Sequence, residues 1–313
     1  MEPQLHDTGM TIGRYTHVQH YKDGLFSEIF KALVPAAERQ PTDPVLVALK
    51  VTTLFDNTPP HDAAKEARLL EAAKGQNIVP LLESFQRPSG RLNMVFPFMP
   101  HDLGILLQRK QITKGTGRAI IRDLFSGLKH LHHLGIIHRD IKPSNILLAS
   151  SDGPAYIADF GIAWSPHDKA SEPADQKILD VGTTCYRPPE LLFGNQKYDS
   201  TLDMWAAGCV AAQVVCLDGK TLFDAGDLGS ELALIKSIFE SLGTPDVEVW
   251  PEAATFPDWG KMNFKQYPGK SWEELLPGAG QNARELVRGL VVFESGWRLT
   301  AEAALEHGYL KTS

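Results

Sequence analysis

His138-Arg139-Asp140-Ile141-Lys142-Pro143-Ser144-Asn145 lies near the middle of the chain, and Asp159-Phe160-Gly161 follows it. Together the two runs set two carboxylates, a carboxamide and an ammonium group in order along a short span, the groups that phosphoryl transfer draws on. A His-Arg-Asp run standing alone reads equally well as a buried turn. Here it stands between Val47-Ala48-Leu49-Lys50 upstream and Pro188-Pro189-Glu190 downstream, and the joint occurrence sets the turn reading aside.

The chain has 313 residues, 43% of them hydrophobic, enough for a large core in two domains or one two-lobed unit. Its 31 Lys and Arg against 38 Asp and Glu give a net charge of -7, which argues against a general nucleic-acid binder, whose affinity rests on a concentrated basic face. Cys185, Cys209 and Cys216 are too few and too unevenly spaced for a disulfide framework or a zinc site, so reduced thiols in a reducing compartment are expected. The N-terminus is polar, with no charged segment leading into an apolar run, and no stretch approaches the ~18 uninterrupted apolar residues of a spanning helix. A soluble intracellular protein with no membrane partner is expected. No Lys/Arg block marks nuclear import, so cytoplasm and nucleus both stay open.

From Thr16 to Phe98 the pattern predicts short strands around one helix: strands over Phe26–Leu33, Val45–Thr52, Val79–Phe85 and Leu92–Phe98, and a helix over Ala63–Ala73. Pro35, Pro41 and Pro44 are poorly tolerated inside a sheet, so the stretch they bracket reads as an enlarged surface loop. After Pro100 the pattern turns helical, over Ile120–Leu134, Leu202–Leu217, Leu232–Leu242, Ala283–Phe293 and Ala301–His307. Leu202–Leu217 is apolar almost all round and therefore reads as a buried central helix. The class is α+β.

The two runs quoted first resemble the catalytic loop and the magnesium loop of eukaryotic protein kinases. The resemblance implies a bilobal fold, with a small β-rich nucleotide-side lobe over 1–99 and a larger, mainly helical lobe over 100–313 that carries the catalytic loop and the substrate side. It implies ATP and Mg2+, with Asp140 accepting the proton of the attacking hydroxyl, Lys142 neutralising charge on the moving phosphoryl group, and Asn145 and Asp159 holding the metal. Lys50 would contact the nucleotide phosphates and Ala48 would cover the adenine. Glu66 would pair with Lys50, with Glu71 as its competitor; Glu66 is preferred because Leu70, one turn later, then faces inward to meet Leu81, Phe160 and His138. Phe96 resembles the gatekeeper, Pro97 offers its carbonyl, Met99 offers both amide and carbonyl, and Leu147 would form the adenine floor. Ile29, in Ile29-Phe30-Lys31-Ala32, falls in the second strand beside the nucleotide. The glycine-rich loop departs from the family pattern: Lys22, Gly24 and Ser27 stand where three glycines are usual, so a cradle that fits phosphate less closely, or that leans on the Lys22 and Ser27 side chains, is expected.

Asp159 to Glu190 resembles an activation segment, with Glu190 matching the partner of Arg298 in a buried ion pair and Asp203 matching the residue that braces the catalytic loop. Lys142 together with Thr183 resembles serine/threonine rather than tyrosine kinases. Tyr186-Arg187-Pro188-Pro189-Glu190-Leu191-Leu192-Phe193-Gly194, Leu242-Gly243-Thr244-Pro245 and Trp250-Pro251-Glu252 resemble the cyclin-dependent kinases, although Pro60–Glu66 lacks their cyclin-binding sequence. The position of the activating threonine is Ile178, which cannot be phosphorylated. Arg139 thereby loses its usual phosphate, and Asp180, Asp175 or Glu172 are the candidates to replace it. The combination is most similar to the fungal monomeric kinases that activate cyclin-dependent kinases. That implies a monomer phosphorylating the activation-loop threonine of cyclin-dependent kinases, with neither a cyclin nor a phosphate on its own loop.

Two other readings stay open: another kinase of the cyclin-dependent-kinase-like group, acting on transcription or cell-cycle proteins, and a pseudokinase scaffold. The eroded glycine-rich loop favours the scaffold, while the intact Lys50, Glu66, Asp140, Lys142, Asn145 and Asp159 oppose it. His132 and His133 diverge on a helix, so His130, His132, His133 and His138 read as packing and surface residues rather than a metal site. Trp164 and Trp205 read as core and Cys185 as an inert thiol.

Overall fold

The computed structural model describes residues 9–36, 45–53 and 58–311. Its first part is an antiparallel five-stranded sheet in the order β1-β2-β3-β5-β4, formed by β1 (Thr16–Asp23), β2 (Ser27–Leu33), β3 (Leu46–Thr53), β4 (Glu83–Gln86) and β5 (Arg91–Pro97). Strand periodicity places the site. Val47, Leu49 and Val51 point to one face and are buried with Tyr15, Val18, Phe30 and Val95, which leaves Ala48 and Lys50 on the opposite face. The register then sets Ala48 across from Phe96 and Lys50 across from both Ile29 and Met94.

Helix α1 (Ala63–Ala72) follows β3, started by Asp62, whose carboxylate accepts the Lys65 amide at 2.8 Å. It packs Leu69 and Leu70 inward. The second part is helical: α2 (Leu103–Gln108), α3 (Lys114–His133), α4 (Pro189–Leu192), α5 (Thr201–Cys216), α6 (Glu231–Leu242), α7 (Trp272–Leu275), α8 (Gln281–Leu290), α9 (Ala301–Leu305) and α10 (Gly308–Lys311). Between α1 and α5 lies a small sheet of β6 (His101–Asp102), β7 (Ile146–Leu148) and β8 (Ala155–Ile157). Helix α5 is buried from Leu202 to Val215, the central position that its uniformly apolar sequence predicts. Thr113, Ser230 and Thr300 cap α3, α6 and α9 by accepting amides three residues on. This is the α+β arrangement of a β-rich small lobe and a helical large lobe. Among the described residues no helix is long and apolar enough to cross a membrane.

Several boundaries differ from expectation for physical reasons. Of Val79–Phe85 only Glu83 onward is strand: Pro80 has no amide for a ladder, and the Val79 amide instead bonds Ile157 O at 2.9 Å, fastening this segment to β8. Strand β1 leaves little pattern in the sequence because it buries only Val18. Helix α3 starts at Lys114, well before Ile120, because Thr113 caps it there. Helix α8 ends at Leu290, short of Phe293. Pro41 and Pro44 of the expected surface loop lie outside the described residues.

One buried ion pair fastens the end of the activation segment to the helical part. Arg298 Nη1 and Nη2 donate to Glu190 Oε1 and Oε2, both at 2.6 Å, and Arg298 also donates to the carbonyls of Thr201, Val292 and Phe293. Both side chains are essentially inaccessible, so removing one leaves a charge in the core with no counterpart. Arg298→Ala is expected to lower the unfolding free energy by about 3–5 kcal/mol. Urea denaturation checks this, and Arg298→Lys, which lacks the planar fork, should fall between parent and alanine variant.

Candidate active site

A cavity of about 430 Å³ opens between the sheet and the helical part. Gly24, Ile29, Ala48, Lys50, Glu66, Phe96, Pro97, Met99, Asn145, Leu147 and Asp159, all predicted from sequence, line it together with Lys22 and Ser27. It also takes in residues the sequence did not single out, among them Phe26, His61 and Asp102. Phe26 and His61 pack ring to ring at 4.4 Å. Asp102 caps α2, accepting the Ile105 amide at 2.9 Å. At the tip of the β1–β2 turn the Gly24 amide bonds Ser27 O at 2.7 Å, and a Cβ on Gly24 would stand 2.7 Å from Ser27 Oγ. A side chain on Gly24 would therefore displace the Ser27 hydroxyl.

At one end of the cavity Lys50 Nζ donates to Glu66 Oε1 and Oε2 at 2.7 and 2.8 Å and to Asp159 Oδ1 at 2.8 Å. Glu66 faces inward from α1, whereas Glu71 is exposed, so the choice between them agrees with the geometry. Burial opposes the Lys50 charge, but Asp159 and Glu66 outweigh it and hold the ammonium pKa above its usual range. The Lys50 charge in turn holds the Asp159 carboxyl well below the usual carboxylate range. Leu70, Leu81 and Phe160 share one core, and Phe160 meets the His138 ring edge-on at 5.0 Å, the grouping that the kinase resemblance implies.

The catalytic loop is a network centred on Asp140. Its Oδ1 accepts the Thr183 amide and hydroxyl at 3.0 and 2.9 Å; its Oδ2 accepts Asn145 Nδ2 at 3.0 Å and Lys142 Nζ at 2.7 Å. Lys142 donates to Thr183 Oγ1 as well, at 2.8 Å. Asn145 spends its NH2 on the Asp140 side chain and carbonyl, which leaves Oδ1 as its acceptor. The Asp159 side chain is 48% exposed and borders the same cavity. An amide oxygen and a carboxylate at one cavity wall are hard donors of the kind magnesium takes, so the residues fit that ion.

The loop geometry depends on Asp203 in α5, which accepts the amides of His138 and Arg139 at 2.8 and 2.9 Å and His132 Nε2 at 3.0 Å. The four neighbouring histidines turn to four different acceptors: His130 to Ala73 O, His132 to Asp203, His133 to Lys129 O and His138 to Ala158 O. They do not converge on one point.

In the activation segment Arg139 Nη1 donates to Glu172 Oε1 at 2.9 Å and to the Tyr198 hydroxyl at 3.0 Å, and that hydroxyl donates to Ile178 O at 2.7 Å. Of the three acidic candidates it is therefore Glu172 that meets Arg139. Asp180 pairs with Arg187 at 2.6 Å, and Asp175 is exposed. Ile178 packs against Ile162, Val181, Leu191, Tyr198 and Leu202. Gly182 has φ 77°, and a Cβ there would lie 2.8 Å from Arg139 O, so only glycine lets the segment pass the catalytic loop this closely.

A β-rich lobe and a helical lobe meeting at such a cavity, with this ion triad and catalytic loop, define a protein kinase. The chain belongs to the protein kinase family, whose domain matches residues 23–310. It is 36% identical over 284 residues to the serine/threonine-protein kinase csk1 of Schizosaccharomyces pombe, covering 90% of this chain and 89% of that protein. It is 34% identical over 303 residues to cyclin-dependent kinase 7 of Xenopus laevis, covering 95% of this chain and 81% of that protein. The chain is thus a serine/threonine kinase of the cyclin-dependent-kinase-like group.

Burial pushes the Tyr198 hydroxyl up to about 12, while in the unfolded chain it ionises near its ordinary 10. The folded state therefore holds one more proton between these values, and stability falls as pH rises through that window. Unfolding midpoints between pH 10 and 12 should decline less steeply for Tyr198→Phe than for the parent. The difference expected is about 1.4 kcal/mol per pH unit.

Proposed function

We propose that this kinase transfers the γ-phosphate of ATP to the activation-loop threonine of cyclin-dependent kinases, acting as a monomer with neither a cyclin nor a phosphate on its own loop. The observation that carries the loop independence is Arg139 closed on Glu172 while Ile178 packs where a phosphothreonine would stand. The choice of substrate rests on the similarity to fungal monomeric kinases that activate cyclin-dependent kinases.

Residues 1–99 serve as the nucleotide side and 100–313 as the substrate side. Ile29, Ala48 and Leu147 enclose the adenine, Phe96 bounds its pocket, and the Pro97 carbonyl and the Met99 amide and carbonyl meet its edge; Gly24 closes the turn over the phosphates. Lys50, steadied by Glu66, neutralises the phosphates. Asn145 and Asp159 would hold magnesium, which when bound would supply charge neutralisation of the phosphate oxygens. The substrate hydroxyl oxygen attacks the γ-phosphorus as the bond to the β-phosphate oxygen breaks, and the hydroxyl proton passes to Asp140. The Thr183 hydroxyl, donating to Asp140 Oδ1 at 2.9 Å, supports that role, because it puts this oxygen within reach of a hydroxyl proton. Lys142, 2.7 Å from Asp140, is near enough to offset charge on the transferring group.

Purified protein with magnesium, labelled ATP and a cyclin-dependent kinase should label that kinase but not its activation-loop Thr→Ala variant. Equal labelling of both would sink the substrate proposal in favour of another kinase of the group. Asp140→Asn should reduce kcat by roughly 10²–10⁴-fold. A parent that labels nothing, and so matches Asp140→Asn, would leave the scaffold reading standing. Separately, phosphatase treatment should leave the rate unchanged, whereas Glu172→Ala should lower it roughly tenfold. A large loss on phosphatase treatment would point to control by a site such as Ser171 or Thr183.

A further inference from the structure

Helix α1, which carries Glu66, is fastened on its outer side by the chain's own activation segment. Arg68 Nε and Nη2 donate to Asp168 Oδ2 and Oδ1 at 2.7 and 2.9 Å, and the Asp168 side chain is 7% exposed. A guanidinium fork on both oxygens of a carboxylate is the most orientation-specific ion pair available to side chains. Asp168 does not hang on a loose loop. Its Oδ1 also accepts the Ala170 amide at 2.9 Å, its amide bonds Ser165 O at 3.3 Å, and the Ser165 amide bonds Ser171 Oγ at 3.2 Å, so Ser165–Ser171 closes on itself.

A buried cation lies beside this clamp. Lys65 is three positions before Arg68 and so shares its face of the helix. It is 2% exposed, and the charges it senses include Arg139, Glu172 and Asp168. Glu172 is tied in turn by its carbonyl to Trp164 Nε1 at 2.9 Å and by its carboxylate to Arg139. The outer face of α1 therefore meets one activation-segment carboxylate, Asp168, through Arg68, while Glu66, on the inner side, meets Lys50.

We propose that Asp168 is a positioning residue for phosphoryl transfer: through Arg68 it holds α1 in the place where Glu66 reaches Lys50. This deepens the monomer reading above and rests on it. Without the clamp α1 keeps its apolar inner packing but loses its outer restraint, and Glu66 moves with the helix.

The test uses the full chain. Arg68→Ala and Asp168→Ala should each lower kcat/KM about tenfold with a raised KM for ATP, and should speed amide exchange over Ala63–Ala72, while the urea midpoint of the whole protein changes little. The charge swap Arg68→Asp with Asp168→Arg should recover both exchange protection and rate. Unchanged exchange and rate in the single variants, or a folded swap no better than either, overturns the clamp. If the alanine variants fold poorly, Asp168→Asn, which removes the charge but keeps an acceptor, carries the same comparison. Exchange is measured without nucleotide or substrate, so it decides the clamp even if the parent needs an added partner for activity, a result that would defeat the monomer reading instead.

Discussion

The catalytic centre hangs from one fully buried carboxylate. Asp203 sits in the first turn of α5, where neighbours on every side prevent it from moving. Burial alone would push its pKa up, but His132 and the backbone amides it accepts outweigh that and hold it below the usual range, so the charge persists. What it secures is strained backbone: Arg139 adopts φ 69°, a left-handed conformation that costs a side-chain-bearing residue ~1–2 kcal/mol and needs outside support. With the amides of His138 and Arg139 pinned, three branches leave the same point. The His138 ring reaches Phe160, Asp140 follows Arg139 directly, and the Arg139 side chain reaches Glu172. A shift at Asp203 would therefore disturb all three together, which no substitution in any single branch would do.

How much of this could be read in the sequence depended on whether a residue's partner was set locally or by the fold. The β3 alternation by itself puts Ala48 and Lys50 on one face, opposite Val47, Leu49 and Val51, because a strand's two faces leave no other choice. Glu66 was separable from Glu71 because Leu70 had to face the core. The partner of Arg139 stayed open among Asp175, Asp180 and Glu172, since composition favoured none of them. It is decided by the turn through Trp164, whose indole grips the Glu172 backbone. Phe26, His61 and Asp102 reach the cavity only once the two lobes meet. Asp168 carried no signal at all, because its partner Arg68 is 100 residues away in sequence. Strand β1 was obscured for the opposite reason: it lies at the sheet edge and buries too little to leave a pattern.

Under the proposed function, a carboxylate and a phosphate can be compared by their charge. A phosphothreonine brings roughly -1.5 to -2 charge and three acceptor oxygens to a single place. Glu172 brings one carboxylate, of which one oxygen meets Arg139; Arg139 Nη2 and Glu172 Oε2 are buried and have no hydrogen-bond partner among the described residues. The remaining work is spatially divided, with a second carboxylate, Asp168, taking Arg68 on α1. Under the proposed function, two carboxylates at separate points would stand in for the charge of one phosphate and could not be removed by a phosphatase. Ile178 packs against Tyr198 and its apolar neighbours, and under the proposed function this position contributes burial where a phosphorylated residue would act as a switch. Under the proposed function that exchange is coherent: a kinase that activates other kinases gains by having no activation step of its own, and the activation segment becomes a fixed strut between α1 and the catalytic loop.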